Sequence, residues 1–142
     1  MALTESQAEF RASNRSAAMI TIDADGMPKA VQVGVAVVDG GIWSSGTHDR
    51  VRTRRLRDDP RCTLFVYEFG FRALTLETTV EILEGPQVAD QSVRLFRGMQ
   101  NRPDGPLSLY SEELDEEKFR RAMIDQGRII YEFEVHKAYG LD

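Results

Sequence analysis

Cysteine is almost missing from this chain: Cys62 stands alone, so no intramolecular disulfide can form. Histidine is nearly as scarce. His48 and His136 are the only two, and no grouping of His, Cys and Asp has metal-ligand spacing, so no metal is expected. Ser44 and Ser45 have no histidine and aspartate arranged to activate them, and no catalytic triad is expected. No apolar run approaches the ~18 residues that a membrane span needs. Glu5, Glu9 and Arg11 stand where the apolar run of a signal peptide would lie, so the expectation is a cytoplasmic protein with no membrane partner. Positive charge is also in deficit. The formal net charge is −5, so the chain as a whole repels nucleic acid and anionic membranes. Any anion site must be a local basic patch.

What is present suits one globular domain over residues 1–142, with 42% hydrophobic residues to fill a core. Residues 4–14 predict a short helix, with Thr4 as its cap and Gln7 completing a capping box. The apolar and β-branched run 16–23 predicts a strand, and Asp23-Ala24-Asp25-Gly26 followed by Pro28 predicts a turn. Residues 29–38 read as a second strand, Asp39-Gly40-Gly41 as a hairpin turn and 42–46 as a third strand. A polar, arginine-rich helix over 47–60 ends at Pro60. Strands are expected over 62–69 and 71–83, the second with clear two-residue alternation. Gly85-Pro86 closes it. Helices over 88–100 and 112–125 and a final strand over 128–140 complete the chain. Six strands with turn-linked antiparallel neighbours predict a mainly β (α+β) fold, a small barrel with helices outside it.

The segment after the third strand gathers Arg50, Arg52, Arg54, Arg55, Arg57 and Arg61 in a net-acidic chain. On a helix, Arg50, Arg54 and Arg57 share one side and Arg52 and Arg55 another. The free N–H groups and positive dipole end of a helix start favour an anion. Thr47 can add a hydroxyl, and arginine meets phosphate oxygens with paired hydrogen bonds. Three readings stand side by side. One is a phosphate site, another a solvated helix whose arginines pair with Asp49, Asp58 and Asp59. The third is a nucleic-acid surface, which the acidic background and the lack of interleaved aromatic residues count against.

The stretch RVRTRRLRDDPRCTLFV resembles the basic segment of the pyridoxamine 5'-phosphate oxidase-like split β-barrel proteins, in which K-x-R-N-L-x-x-D-P-R leads into an apolar strand. Asp25-Gly26-Met27-Pro28 matches the D-G-x-P of that family's first hairpin. The ending RRAMIDQGRIIYEFEVHKAYGLD is similar to the last helix and strand of its short flavin- and deazaflavin-dependent members. The chain departs from the pattern at Arg52, where lysine is more usual, at Arg55, where asparagine is common, and at Asp58, where a basic residue is common. The resemblance implies a six-stranded split barrel, homodimeric, with cofactor sites at the subunit interface. It implies Arg50 and Arg52 as phosphate ligands, with hydroxyl or backbone contacts from Thr47 and Thr53. It places Val31, Gln32, Val33, Trp43 and Ser44 near the cofactor ring, and His48 at the corner beside the phosphate.

Vitamin B6 oxidation is not expected. The full oxidases carry a C-terminal arginine and tryptophan segment, whereas this chain ends at Tyr139-Gly140-Leu141-Asp142 and its one tryptophan is Trp43. The short members use FMN or the deazaflavin coenzyme F-420. The extra cations Arg54 and Arg55 favour F-420, whose oligoglutamate tail they would meet. The implied activity is hydride transfer between that cofactor and a small organic substrate, chemistry that resides in the cofactor. A cofactor carrier without turnover is the alternative, and a haem-binding barrel with His136 as ligand a further one. Several residues also have plainer fates: packing for Trp43, a surface position for His48, a structural role for His136 and an inert core position for Cys62.

Overall fold

The computed structural model of the chain describes residues 3–68 and 70–141. Helix α1 (Glu5–Ser13) forms as its cap predicts: Gln7 N–H donates to the Thr4 hydroxyl at 3.1 Å, and Thr4 N–H donates to the Gln7 side chain at 3.0 Å. Strand β1 (Ser16–Ile22) alternates strictly, turning Ala17, Met19 and Thr21 inward. The Asp23 carboxylate then folds the chain back by accepting the N–H groups of Asp25 and Met27, both at 2.9 Å.

The expected second strand is two strands. β2 (Pro28–Gly34) pairs with β1, whereas β3 (Ala36–Val38) pairs with β4 (Gly41–Thr47). Helix α2 (Val51–Asp58), β5 (Arg61–Tyr67), β6 (Ala73–Leu83) and helix α3 (Val88–Gln100) follow, and β9 (Arg128–Gly140) ends the chain. Phe69, the last residue of one expected strand, lies outside the described residues. The main sheet is antiparallel and seven-stranded in the order β2-β1-β5-β6-β9-β4-β3, not six-stranded. β2 and β3 are its two edges, yet only Val35 separates them in sequence. The sheet must therefore curl until its edges nearly meet, forming an open half-barrel. Val35 N–H bonds to the Arg15 carbonyl at 2.9 Å, and the Ser44 hydroxyl donates to the Gly34 carbonyl at 2.7 Å across the seam.

The helix expected from residue 112 begins later, as α4 (Glu116–Asp125), because Asp115 caps it by accepting Lys118 N–H at 2.8 Å. Residues ahead of it form a small hairpin of β7 (Leu107–Leu109) and β8 (Glu112–Leu114), joined by Tyr110 and Ser111.

Two cores result. The barrel interior holds Met19, Leu64, Leu74, Leu76, Tyr131 and Phe133, with Phe10 of α1 and Leu56 of α2 packed into it. A second core lies between the opposite face of β3, β4 and β9 and the pair α3–α4, and contains Trp43, Leu95, Phe119, Met123 and Ile130. β9 serves both, so Ile129, Ile130 and Tyr131 are all buried in succession. Gly46 matters here, because the Tyr131 ring lies directly over it and a Cβ there would collide with the ring. No helix among the described residues is long and apolar enough to cross a membrane.

Candidate anion site at the barrel seam

The seam between β2 and β4 opens into a groove of about 290 Å³. Val31, Gln32 and Val33 of β2 form one wall, Ser44 and Ser45 of β4 the floor, and Phe96 and Met99 of α3 an apolar end. Arg50, Arg52 and Arg128 complete the lining. Arg50 and Arg52 reach it because β4 runs straight into α2, whose N-cap is Arg50. Arg128 reaches it because β9 pairs with β4 in a register that sets Arg128 opposite Thr47.

Hydrogen bonds fix the α2 corner from within. Thr53 is fully buried; its hydroxyl donates to the Thr47 carbonyl at 2.7 Å and lies 2.5 Å from the Tyr131 hydroxyl. Arg52 spreads over the Tyr131 ring, 5.7 Å from its centroid, and makes one long contact to the Ser45 carbonyl at 3.5 Å. Its Nε is buried with no partner. An unpaired buried donor is costly to the fold. Burial pulls the Arg52 guanidinium below its ordinary pKa, Tyr131 opposes that, and Arg50 adds to it.

Many arginines elsewhere are ion-paired. Arg57 pairs with Glu84 at 3.1 Å, Arg61 with Asp59 at 2.7 Å, Arg97 with Glu116 at 3.1 Å and Arg102 with Glu113 at 2.6 Å. Arg50, Arg52 and Arg128 form no ion pair with any described residue. In a chain of net charge −5, three cations facing one groove without a carboxylate give that groove a local positive charge.

Of the residues singled out in the sequence, Arg50, Arg52, Gln32, Val33 and Ser44 meet in this groove. Arg55 lines the adjoining pocket with Lys29, Val31, Arg50 and Arg52, which extends the basic surface. The others lie apart. Thr47 donates its hydroxyl to Asp49 at 2.8 Å. Trp43 alternates to the opposite face of β4, where its indole N–H donates to Glu132 at 2.7 Å. His48 lies against Gly127, to whose carbonyl its backbone N–H donates at 3.0 Å. Arg128, Ser45, Phe96 and Met99 were not foreseen. Arg128 could have been found by pairing the last strand against the third, since it is the residue with which β9 begins.

A larger depression of about 500 Å³ lies across β1, β5 and β6, but its cation Arg61 is already held by Asp59 and its His136 bonds Thr79 at 2.7 Å. Cys62, which also lines it, has its thiol pushed up to about 12 by burial, which keeps it protonated at neutral pH. Among the described residues no three His, Cys, Asp or Glu side chains converge on a metal position.

A curled antiparallel barrel split at its seam, with an arginine-lined groove at the split, defines the class of the protein. The sequence profile described as pyridoxamine 5'-phosphate oxidase matches residues 3–141, and the chain belongs to that family. No curated protein matches it significantly. Among solved structures, a conserved hypothetical protein from Mycobacterium tuberculosis superposes with a TM-score of 0.76 at 23% identity, covering 100% of this chain and 86% of that one. A structure described as an F420 reductase gives 0.69 at 18% identity, covering 96% and 98%. A heme storage protein from Vibrio cholerae gives 0.67 at 15% identity, covering 99% of this chain. These likenesses establish the fold.

Proposed function

We propose that this protein binds a flavin-type cofactor in the seam groove and transfers a hydride between it and a small organic substrate, with coenzyme F-420 as the cofactor and FMN as the alternative. The observation that carries the reading is the set of Arg50, Arg52 and Arg128, which line the groove without an ion pair to any described residue. Family membership supports it, as does the likeness to a protein described as an F420 reductase.

The residues fit such a group in kind. Arg50 and Arg52 would hold its phosphate, with Arg55 and Lys29 extending the positive surface for further anionic groups. Val31, Val33, Phe96 and Met99 offer apolar surface for a ring, and Gln32 and Ser44 offer polar contacts. Thr47, Thr53, Trp43 and His48 would act from behind these, by setting the α2 corner and the β4 strand. When bound, the cofactor supplies the hydride chemistry. The chain binds and orients it, and a carboxylate-free groove keeps the anion in place.

The reading includes a homodimer. β2 is exposed along nearly its whole length, and a row of residues in register, Gln32, Ala18, Phe65, Thr75 and Tyr139, crosses the outer face of five strands. Phe65 and Tyr139 in that row are 39% and 46% exposed, which suits a face covered by a second copy. Light scattering should give a dimer. Oxidation of reduced F-420 by a panel of small acceptors, followed by absorbance, tests the enzyme reading. Turnover above the uncatalysed rate is expected. Tight binding without turnover would make the protein a carrier.

A further inference from the structure

Arg128 is arranged differently from the ion-paired arginines. Its guanidinium makes three hydrogen bonds, to the Gln126 side chain at 2.9 Å, the Ser45 hydroxyl at 3.1 Å and the Tyr110 hydroxyl at 3.0 Å. Every partner is neutral. It also lies 5.9 Å from the centroid of the Phe96 ring, which forms the apolar end of the groove. Burial lowers its pKa, Tyr110 opposes that, and the charges of Arg50 and Arg52 lower it further. The side chain is therefore fixed in direction while its charge is left uncompensated beside two like charges. A structural arginine gains most from a carboxylate, and this one is given orientation without one.

Tyr110 sits at the tip of the β7–β8 hairpin. It and Ser111 are its two turn residues, with φ of 49° and 65°, as a tight two-residue hairpin turn requires. Most of the Tyr110 side chain is exposed, so burial does not hold it there. Its structural contact of consequence is the hydroxyl on Arg128. A hairpin tip that steadies an uncompensated cation beside a basic groove presets that cation for a ligand.

We propose that Arg128 is a third anion-binding residue of the groove, steadied by Tyr110, and that with Arg50 and Arg52 it takes the phosphate group of the ligand. The proposal rests on the groove being a phosphate site. On anion binding, Arg128 keeps its partners at Ser45, Gln126 and Tyr110 and turns its remaining N–H donors to phosphate oxygens.

The full-length protein is titrated with inorganic pyrophosphate and with FMN, by thermal unfolding against sodium chloride at matched ionic strength and by fluorescence. Pyrophosphate should raise the melting temperature of the parent where chloride does not. Arg128→Gln should bind both ligands at least about tenfold more weakly, the loss of a charged hydrogen bond. Tyr110→Phe should weaken binding about threefold, with its unliganded melting temperature unchanged. If Arg128→Gln binds like the parent while Arg50→Ala does not, the proposal is overturned and the phosphate site stands. If the parent binds neither ligand, the proposal falls, and F-420 binding that is lost in Arg50→Ala would leave the cofactor reading standing. Should Arg128→Gln fail to fold, an unaltered affinity in Tyr110→Phe overturns the proposal on its own.

Discussion

Replacing Arg52 by alanine should separate binding from stability. In the unliganded protein the guanidinium forms no ion pair with a described residue, makes one hydrogen bond of 3.5 Å to Ser45 and lies over the Tyr131 ring at 5.7 Å. A cation–π contact of this kind contributes roughly 0.5–1 kcal/mol. Against that, removal relieves a buried Nε without a partner and the repulsion from Arg50. The two effects have opposite sign, so unliganded stability should change by less than about 1 kcal/mol. Cofactor binding should instead lose roughly 1.5–3 kcal/mol, the range for hydrogen bonds to a charged group. That corresponds to a Kd raised about 10- to 150-fold. Urea unfolding of the unliganded variant and fluorescence titration of the cofactor read the two quantities independently. A variant that loses several kcal/mol of stability, or binds the cofactor as tightly as the parent, would show that Arg52 serves the fold and not the ligand.

Other parts of the structure make separate commitments. Tyr131→Phe removes the hydroxyl beside Thr53 in the buried α2 corner and should cost about 1–2 kcal/mol in urea unfolding. Cys62 should resist a thiol reagent at neutral pH in the folded protein and react fully once unfolded, because burial raises its thiol to about 12. The carboxylates of Asp59, Glu84 and Glu116 are held below their ordinary pKa, chiefly by hydrogen bonds from Arg61, Arg57 and Arg97 respectively. Their stabilisation is present above the unfolded values and is lost as pH falls through the folded ones. Stability should therefore decline below about pH 4, and thermal melts across pH 3–7 measure this.

Where local chemistry decides an element, the sequence was enough. The Thr4–Gln7 box starts α1 at Glu5, and the alternation of residues 73–83 gives β6. The errors arose where tertiary pairing decides. Residues 29–38 carry one continuous β signal, and only the need to join opposite sheet edges breaks it at Val35. Residues 112–114 favour a helix start by their acidity, but Leu107–Leu109 offers them a strand to pair with and Asp115 takes the cap. The groove behaves in the same way. Arg50 and Arg52 stand out because the basic segment is contiguous, whereas Arg128 is remote in sequence and joins them through the β4–β9 register. Trp43 is taken up by the core against α3 and α4, where Glu132 accepts its indole N–H.

The most direct test of the central claim is a pair of fluorescence titrations of the purified protein, one with F-420 and one with FMN, repeated on Arg50→Ala. Saturable binding of one cofactor that weakens at least about tenfold in Arg50→Ala is the predicted result. Binding of neither cofactor, or binding untouched by the substitution, would contradict a flavin site at the barrel seam.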